Sequence, residues 1–212
     1  MKLEHVLPAD IEKRSFEIIS EELDKMNITL DEEKAPVIKR AIHTTADFDY
    51  AHTLKFSEGA VSLIKELIKA GAHIVTDTNM ALTGINKKEL AKYGCEIDCF
   101  MADEEVAKIA AERGVTRATV SMERAMAIEG PVIFVVGNAP TALVALRDAY
   151  DEGKYKPAFV VGIPVGFVNV EAAKELIMET DIPYIVNKGR KGGSNVAAAI
   201  INAVTYEMRK GN

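Results

Sequence analysis

Two hydrophobic patterns alternate along the chain from Ser57 onward: short continuous apolar runs, and longer stretches whose apolar residues recur at helical spacing. The runs at 132–136 and 158–162 carry no charged side chain, which is typical of strands buried on both faces. Further strands are predicted at 73–77, 95–101 and 184–186.

The stretches between these strands predict helices, because capping residues precede them and glycine follows several of them. Strands that alternate with helices predict a parallel sheet covered by helices on both faces, which is a three-layer α/β fold. Right-handed crossovers leave few strand orders, and we expect a five-stranded parallel sheet with the flavodoxin-like order 2-1-3-4-5.

The N-terminal residues show helical periodicity alone. An amphipathic helix is predicted at residues 8–26, with Asp10 as its N-cap. A second helix is predicted from the capping-box sequence at residues 29–32 toward residue 42. Pro36 falls inside this second helix, so it should either kink the helix or shift its start.

Length and composition indicate one large globular domain. The chain has 212 residues, of which 48% are hydrophobic and 27% charged. We interpret residues 1–212 as a single domain, in which residues 1–56 form an all-helical arm outside the sheet and residues 57–212 form the α/β core.

Charge and hydropathy exclude two classes of partner. The formal net charge of −6 argues against nucleic acid, because phosphate binding needs a basic face. No apolar run is long enough to span a bilayer and no signal peptide is evident, so we expect a cytoplasmic protein without a membrane partner. Cys95 and Cys99 are predicted to be buried thiols, since on one strand they would lie about 13 Å apart, too far for a disulfide.

Titratable groups concentrate in residues 40–52, which hold two of the four histidines. Arg40 and His43 are three residues apart near the end of the second predicted helix, and a helix C-terminus favours a protonated imidazole. His43 is therefore a candidate acid. Asp47 and Asp49 could tune it or join a metal site, but no standard metal-ligand spacing is present and we expect no metal.

A second set of candidates follows the predicted strands, at residues 76–80, 137–141, 162–167 and 187–194. Ligands bind at the carboxyl ends of such strands. Glycines there let the backbone approach a ligand, helix N-termini favour anions, and the last loop is basic. The crevice therefore suits a ligand with several carboxylates or phosphates. Sequence signatures of dinucleotide, P-loop and serine-hydrolase sites are absent.

Ser15 lies on or beside the buried stripe of the first predicted helix. Its hydroxyl is either a satisfied core polar group or a ligand contact, and the residues alone favour the first.

Five motifs together resemble the precorrin-8X methylmutase family, in the family's order and over almost the whole chain. The sequences are Arg-Ala-Ile-His-Thr-Thr-Ala-Asp (40–47), Thr-Asp-Thr-Asn-Met (76–80), Gly-Asn-Ala-Pro-Thr-Ala-Leu (137–143), Gly-Ile-Pro-Val-Gly-Phe-Val (162–168) and Gly-Arg-Lys-Gly-Gly-Ser (189–194). The resemblance implies a flavodoxin-like domain and a homodimer with active sites near the dimer interface. It also implies that a methyl group migrates from C11 to C12 of a corrin ring in cobalamin biosynthesis, with no methyl donor and no cofactor.

The resemblance also implies residue roles. His43 matches the catalytic acid and base, while Arg40 and Ser15 match substrate-contacting positions, which reverses the preference for a core hydroxyl at Ser15. Further substrate contacts are expected at Thr44, Thr78, Asn79, Arg117, Gly137, Asn138, Gly166, Arg190, Gly192 and Gly193. His52 and His73 are predicted to be structural.

The partners implied are a tetrapyrrole (corrinoid) substrate and product and a second copy of the chain. The His-Thr-Thr-Ala-Asp-Phe sequence resembles the branch that acts on cobalt-precorrin-8 and yields cobyrinate. The same reaction on metal-free precorrin-8X, giving hydrogenobyrinate, is the alternative. A non-catalytic tetrapyrrole carrier and a nucleotide-binding regulator are the competing classes.

Overall fold

The structure is a computed structural model that describes residues 5–210, and a mixed sheet lies at its centre. The described residues form six strands, hydrogen-bonded in the order β1-β6-β5-β4-β2-β3. The strands are β1 (Leu54–Phe56), β2 (His73–Thr76), β3 (Ile97–Asp98), β4 (Val132–Val136), β5 (Phe159–Gly162) and β6 (Tyr184–Asn187).

Eleven α-helices surround this sheet within residues 5–210. They are α1 (Ile11–Lys25), α2 (Ala35–Thr45), α3 (Tyr50–Thr53), α4 (Ala60–Lys69), α5 (Asn79–Gly84), α6 (Lys87–Ala91), α7 (Glu104–Arg113), α8 (Arg117–Ala125), α9 (Pro140–Asp151), α10 (Val170–Met178) and α11 (Ser194–Lys210). None of the described helices is both long and apolar enough to cross a membrane.

The α/β class is confirmed, but the prediction of a five-stranded, wholly parallel sheet is wrong. A sixth strand, β1, pairs antiparallel with β6 at the sheet edge. Its three residues are too few to show a strand pattern in the sequence, and pairing with β6 rather than hydrophobic alternation defines it. The turn after β1 is held there too, because the N–H of Ser57 donates to the carbonyl of Tyr184 at 3.0 Å.

The N-terminal segment is not an all-helical arm outside the sheet, because it supplies β1 and part of the core. Helix α2 packs on α11, and its buried residues join a cluster that includes side chains of β4 and β5. The helix begins at Ala35 rather than near residue 29, and Pro36 stands in its first turn. Because proline lacks an N–H, a helix tolerates it in the first turn but not further inside. The helix therefore begins just before Pro36.

The two faces of the sheet are covered by separate apolar clusters. Ile133 and Val135 of β4 point into a core shared with α2, α4 and α11, whereas Phe134 packs with α8, α9 and α10 on the other face. This period of two follows from strand geometry. The carboxyl ends of the parallel strands therefore form one edge of the sheet, which lies between the two helical layers.

The predicted strand 95–101 is shortened to two residues, so neither cysteine lies on it. Cys95 is buried, and burial raises the pKa of its thiol, while Cys99 is half-buried. His73 has the structural role expected of it, because its Nε2 lies 2.8 Å from the carboxylate of Asp98 and joins β2 to β3.

Candidate active site

His43 lies in the last turn of α2, exposed to solvent. Its imidazole stacks on the ring of Phe16 in α1, with ring centroids 5.2 Å apart and planes inclined by 13°. Within residues 5–210, neither ring nitrogen of His43 hydrogen-bonds to the protein. The imidazole is therefore held by its face, and both nitrogens are left to exchange a proton with a ligand.

Arg40 contacts the same phenyl ring. Its guanidinium carbon lies 4.6 Å from the Phe16 centroid and 5.4 Å from that of Tyr206 in α11. The guanidinium also forms an ion pair with Glu12. These side chains line a cleft of about 760 Å³ between α1, α2 and α11, and His43 is not among the residues that line it. Arg40 and His43 are thus linked through Phe16 and have different surroundings.

The hydroxyl groups of the predicted residues Ser15 and Thr44 are bonded to their own helices. Ser15 Oγ donates to the carbonyl of Ile11 at 2.9 Å, and Thr44 Oγ1 donates to the carbonyl of Arg40 at 2.9 Å. Because each hydroxyl proton is engaged, a ligand at Ser15 or Thr44 would meet an oxygen that can accept.

The carboxylate of Asp77 organises the carboxyl ends of β2 and β4. Its Oδ1 accepts from the N–H of Gly137 at 2.8 Å, and its Oδ2 accepts from the N–H groups of Asn138 and Ala139 at 2.8 and 2.6 Å. Asp77 is fully buried, and burial raises its pKa against the opposing effect of these three bonds. The carboxylate fixes the turn in which Asn138 is exposed to solvent.

Three chain segments meet beside this turn. Thr78 caps α5 by accepting from the N–H of Ala81, and its Oγ1 lies 2.8 Å from Oγ of Ser194, the first residue of α11. Gly137 packs so closely here that a Cβ on it would lie 2.6 Å from Cα of Ser194. The predicted residues Thr78 and Gly137 are therefore brought together, with Asn79 exposed one residue further along.

The loop after β6 is tied to the turn that follows His43. The ammonium of Lys191 lies 2.5 Å from Oδ2 of Asp47 and 2.6 Å from Oδ2 of Asp49. These carboxylates raise the pKa of Lys191, and Lys191 lowers the pKa of Asp47. Among the described residues, both carboxylates contact this lysine rather than the imidazole, and no group suited to holding a metal is found.

Glycine permits the close packing of this loop against the end of β5. A Cβ on Gly192 would lie 2.2 Å from the carbonyl oxygen of Ile163. The N–H of Gly193 donates to the same oxygen at 2.8 Å, and the N–H of Gly166 donates to the carbonyl of Arg190 at 3.2 Å. The predicted residues Gly166, Arg190, Gly192 and Gly193 therefore form one contact region.

Two predicted cationic residues are exposed at the same sheet edge. Arg117 begins α8, whose capping residue Thr116 lies 2.8 Å from the hydroxyl of Thr141 in α9. Arg190 pairs with Glu171 at 3.0 Å. The predicted residues thus form a sheet-edge group and a second group around His43, and the Lys191 ion pairs join the two.

Comparison with known proteins shows the family of the chain. The sequence profile described as precorrin-8X methylmutase matches residues 10–207, which include both groups of predicted residues. The chain belongs to the precorrin-8X methylmutase family. Its sheet-edge group and the group around His43 are therefore parts of a methylmutase fold.

Relatives of this methylmutase are similar over nearly their full lengths. The cobalt-precorrin-8 methylmutase of Salmonella typhimurium is 42% identical, over 96% of this chain and 97% of its own. The precorrin-8X methylmutase of Pseudomonas aeruginosa is 37% identical, over 93% and 94%. The crystal structure of precorrin-8X methylmutase from Thermus thermophilus aligns with a TM-score of 0.83 at 38% identity, over 95% of this chain and 98% of that one.

Sequence reasoning missed three residues that organise the candidate site. Phe16 stacks on His43, Asp77 fixes the turn after β4, and Lys174 is buried beneath the loop after β6. Two of them carry a signal in the sequence. Asp77 is an acidic residue directly after a buried strand, and Lys174 occupies a position where helical periodicity predicts an apolar residue.

Proposed function

We propose that this chain is an isomerase that moves a methyl group from C11 to C12 of cobalt-precorrin-8, giving cobyrinate in cobalamin biosynthesis. The observation that carries the proposal is the family match over residues 10–207. Relatives named cobalt-precorrin-8 methylmutase from Priestia megaterium and Salmonella typhimurium are 40% and 42% identical to the chain.

His43 is proposed as the group that moves the proton. As imidazolium it protonates the macrocycle near the migrating centre, which withdraws electron density and eases a [1,5] methyl shift. As imidazole it takes the proton back, so no proton is gained or lost overall. Its exposed position and its unbonded ring nitrogens support this role. A positioned acid of this kind contributes about 10² to 10⁴ in rate.

The remaining rate enhancement comes from holding the macrocycle in its reactive geometry. Ser15 and Thr44 contact substrate beside His43, and the sheet-edge group binds the ring and its carboxylates: Thr78, Asn79, Arg117, Gly137, Asn138, Gly166, Arg190, Gly192 and Gly193. A guanidinium suits two-point binding of a carboxylate. For Arg40 this means that a substrate carboxylate must replace Glu12, with which it is paired.

We also propose a homodimer of single-domain chains, with the two active sites near the interface. Sedimentation at several protein concentrations tests this, because a dimer has about twice the chain mass of 23.1 kDa.

The decisive experiment follows the visible spectrum after the protein is mixed with cobalt-precorrin-8, and in parallel with metal-free precorrin-8X. Conversion of the cobalt substrate is expected to be faster, and faster conversion of the metal-free substrate would assign the chain to the other branch. A spectrum of simple binding without conversion would indicate a carrier instead.

The role of His43 is tested with the His43→Ala variant. It should fold and bind the tetrapyrrole but lose turnover by about 10² or more. Near wild-type turnover in this variant would exclude His43 as the acid. His52→Ala, which removes an exposed histidine of α3, serves as the matched control and should retain activity.

A further inference from the structure

Lys174 is a cation at a position built for an apolar side chain. It lies on the buried stripe of α10 with Val170, Ala173 and Ile177, and none of it is exposed. Burial lowers the pKa of its ammonium to about 8, since the charged form loses its hydration. A buried charge of this kind persists only where hydrogen-bond partners offset the loss of hydration.

Those partners are carbonyl groups of the loop after β6. The ammonium donates to the carbonyl of Gly189 at 2.7 Å and to that of Lys191 at 2.8 Å. The side-chain amide of Asn187 donates to the same Lys191 carbonyl at 2.8 Å. Carbonyl groups of the loop are therefore turned inward, toward α10 and the end of β6.

The opposite side of the loop is left with donors and cations. Within residues 5–210, the N–H groups of Gly189, Arg190, Lys191 and Gly192 have no hydrogen-bond acceptor in the protein. The side chains of Arg190 and Lys191 are exposed. A loop whose carbonyls are bound from beneath thus offers its N–H groups to an incoming anion. The side chains of Arg190 and Lys191 can add their charge only if the anion replaces their present partners, which are Glu171 for Arg190 and Asp47 and Asp49 for Lys191.

We propose that Lys174 is a positioning residue for the substrate, whose ammonium holds residues 187–194 in the conformation that binds substrate carboxylates. This inference rests on the proposed function, because it takes the corrinoid carboxylates as the anions bound by this loop. Lys174 does not touch the substrate. It acts through the carbonyls of Gly189 and Lys191.

The test compares wild type with Lys174→Met, which keeps the length and bulk of the side chain but removes the donors. We expect the KM for the tetrapyrrole substrate and the dissociation constant for cobyrinic acid to rise about tenfold, the effect of losing a charge-assisted hydrogen bond. The kcat should change less than about threefold, because His43 is untouched. A purely structural role would instead reduce the folded fraction or kcat and leave KM unchanged, which would overturn the inference.

A matched pair at Gly189 tests the same loop if Lys174→Met does not fold. Gly189 has a φ of 84°, and a Cβ there would meet no atom within 4 Å, so Gly189→Ala adds backbone strain without a clash. Asparagine tolerates positive φ better, so Gly189→Asn should raise KM less than Gly189→Ala. Wild-type KM in every folded variant would overturn the inference. Failure of the wild type to convert or bind the corrinoid would overturn the proposed function itself.

Discussion

The phenyl ring of Phe16 lies nearly parallel to the imidazole of His43, with their centroids 5.2 Å apart. This contact joins α1 to the end of α2 and orients the imidazole without engaging either nitrogen. Arg40 contacts the same phenyl ring, so a substitution of Phe16 would release both neighbours at once.

Replacing Phe16 with leucine should lower kcat by up to about tenfold. An aromatic pair contributes about 0.5–1.5 kcal/mol beyond its buried area, and loss of orientation at His43 would appear in the barrier to turnover. Steady-state kinetics of Phe16→Leu and Phe16→Tyr measure this, because tyrosine retains the ring. Equal kcat values for the two variants would show that stacking does not position the histidine.

Gly192→Ala should displace the loop after β6, because the added Cβ would lie 2.2 Å from the carbonyl oxygen of Ile163. The oxygen belongs to backbone and the Cβ is attached directly to backbone, so the clash can be relieved only if one of the two backbone segments moves. We expect a loss of about 2–3 kcal/mol in the free energy of unfolding, and a higher KM. Gly59→Ala is the control, because a Cβ at Gly59 would have no atom within 4 Å. Only the positive φ of 63° opposes this substitution, and it should cost about 1 kcal/mol in the free energy of unfolding. Urea denaturation of the two variants would give similar values if the close approach did not matter.

Asp77→Asn should destabilise the fold and loosen the turn after β4. Both carboxylate oxygens accept from N–H groups, and an amide nitrogen in place of one oxygen would face donors. Leaving buried donors unpaired costs about 1–3 kcal/mol each, so a loss of at least about 2 kcal/mol is expected in urea denaturation. Asp98→Asn changes a half-exposed carboxylate on β3 and should cost less. A smaller loss at Asp77 than at Asp98 would contradict this account.

The ion pairs of Lys191 should stabilise the fold only within a pH window. Asp47 contributes stability above its ordinary pKa of about 4, and this is lost as pH falls through its lowered pKa. Lys191 contributes fully below its ordinary pKa of about 10.4, and this is lost as pH rises through its raised pKa.

The urea midpoints of wild type and Lys191→Met should therefore differ by a constant amount between about pH 5 and pH 10. They should begin to converge below about pH 4 and above about pH 10. Added salt should reduce the difference, because the groups are exposed. A difference that is independent of both pH and salt would argue against these ion pairs as its cause.

Strands β4 and β5 were predictable from sequence because each is a continuous apolar run next to a helical stretch. Strand β4 begins and ends where its run of valine, isoleucine and phenylalanine does. The turns after those strands were predictable because glycine and helix-capping residues mark them. The position of His43 near the end of a predicted helix indicated a candidate acid, and the sequence resemblance added its match to the catalytic acid and base.

What escaped prediction depends on contacts between distant parts of the chain. Strand β1 exists because Leu54–Phe56 meets β6, and no local pattern in three residues signals that meeting. The direction in which the Arg40 side chain points could not be predicted either, because its neighbours Glu12 and Tyr206 belong to two other helices. Helical spacing puts Arg40 near His43 but does not show where its guanidinium points.

The pairing of β1 with β6 has a consequence for how the enzyme is made. Thr53, at the start of this junction, bonds Asn187, which lies 134 positions later in sequence. Contacts of such long range form slowly and require nearly the whole chain. During synthesis, the segment that carries His43 can therefore be fixed beside the sheet only after β6 and α11 have been made. Chains truncated before residue 184 are expected to have no assembled site, even though they contain the histidine itself.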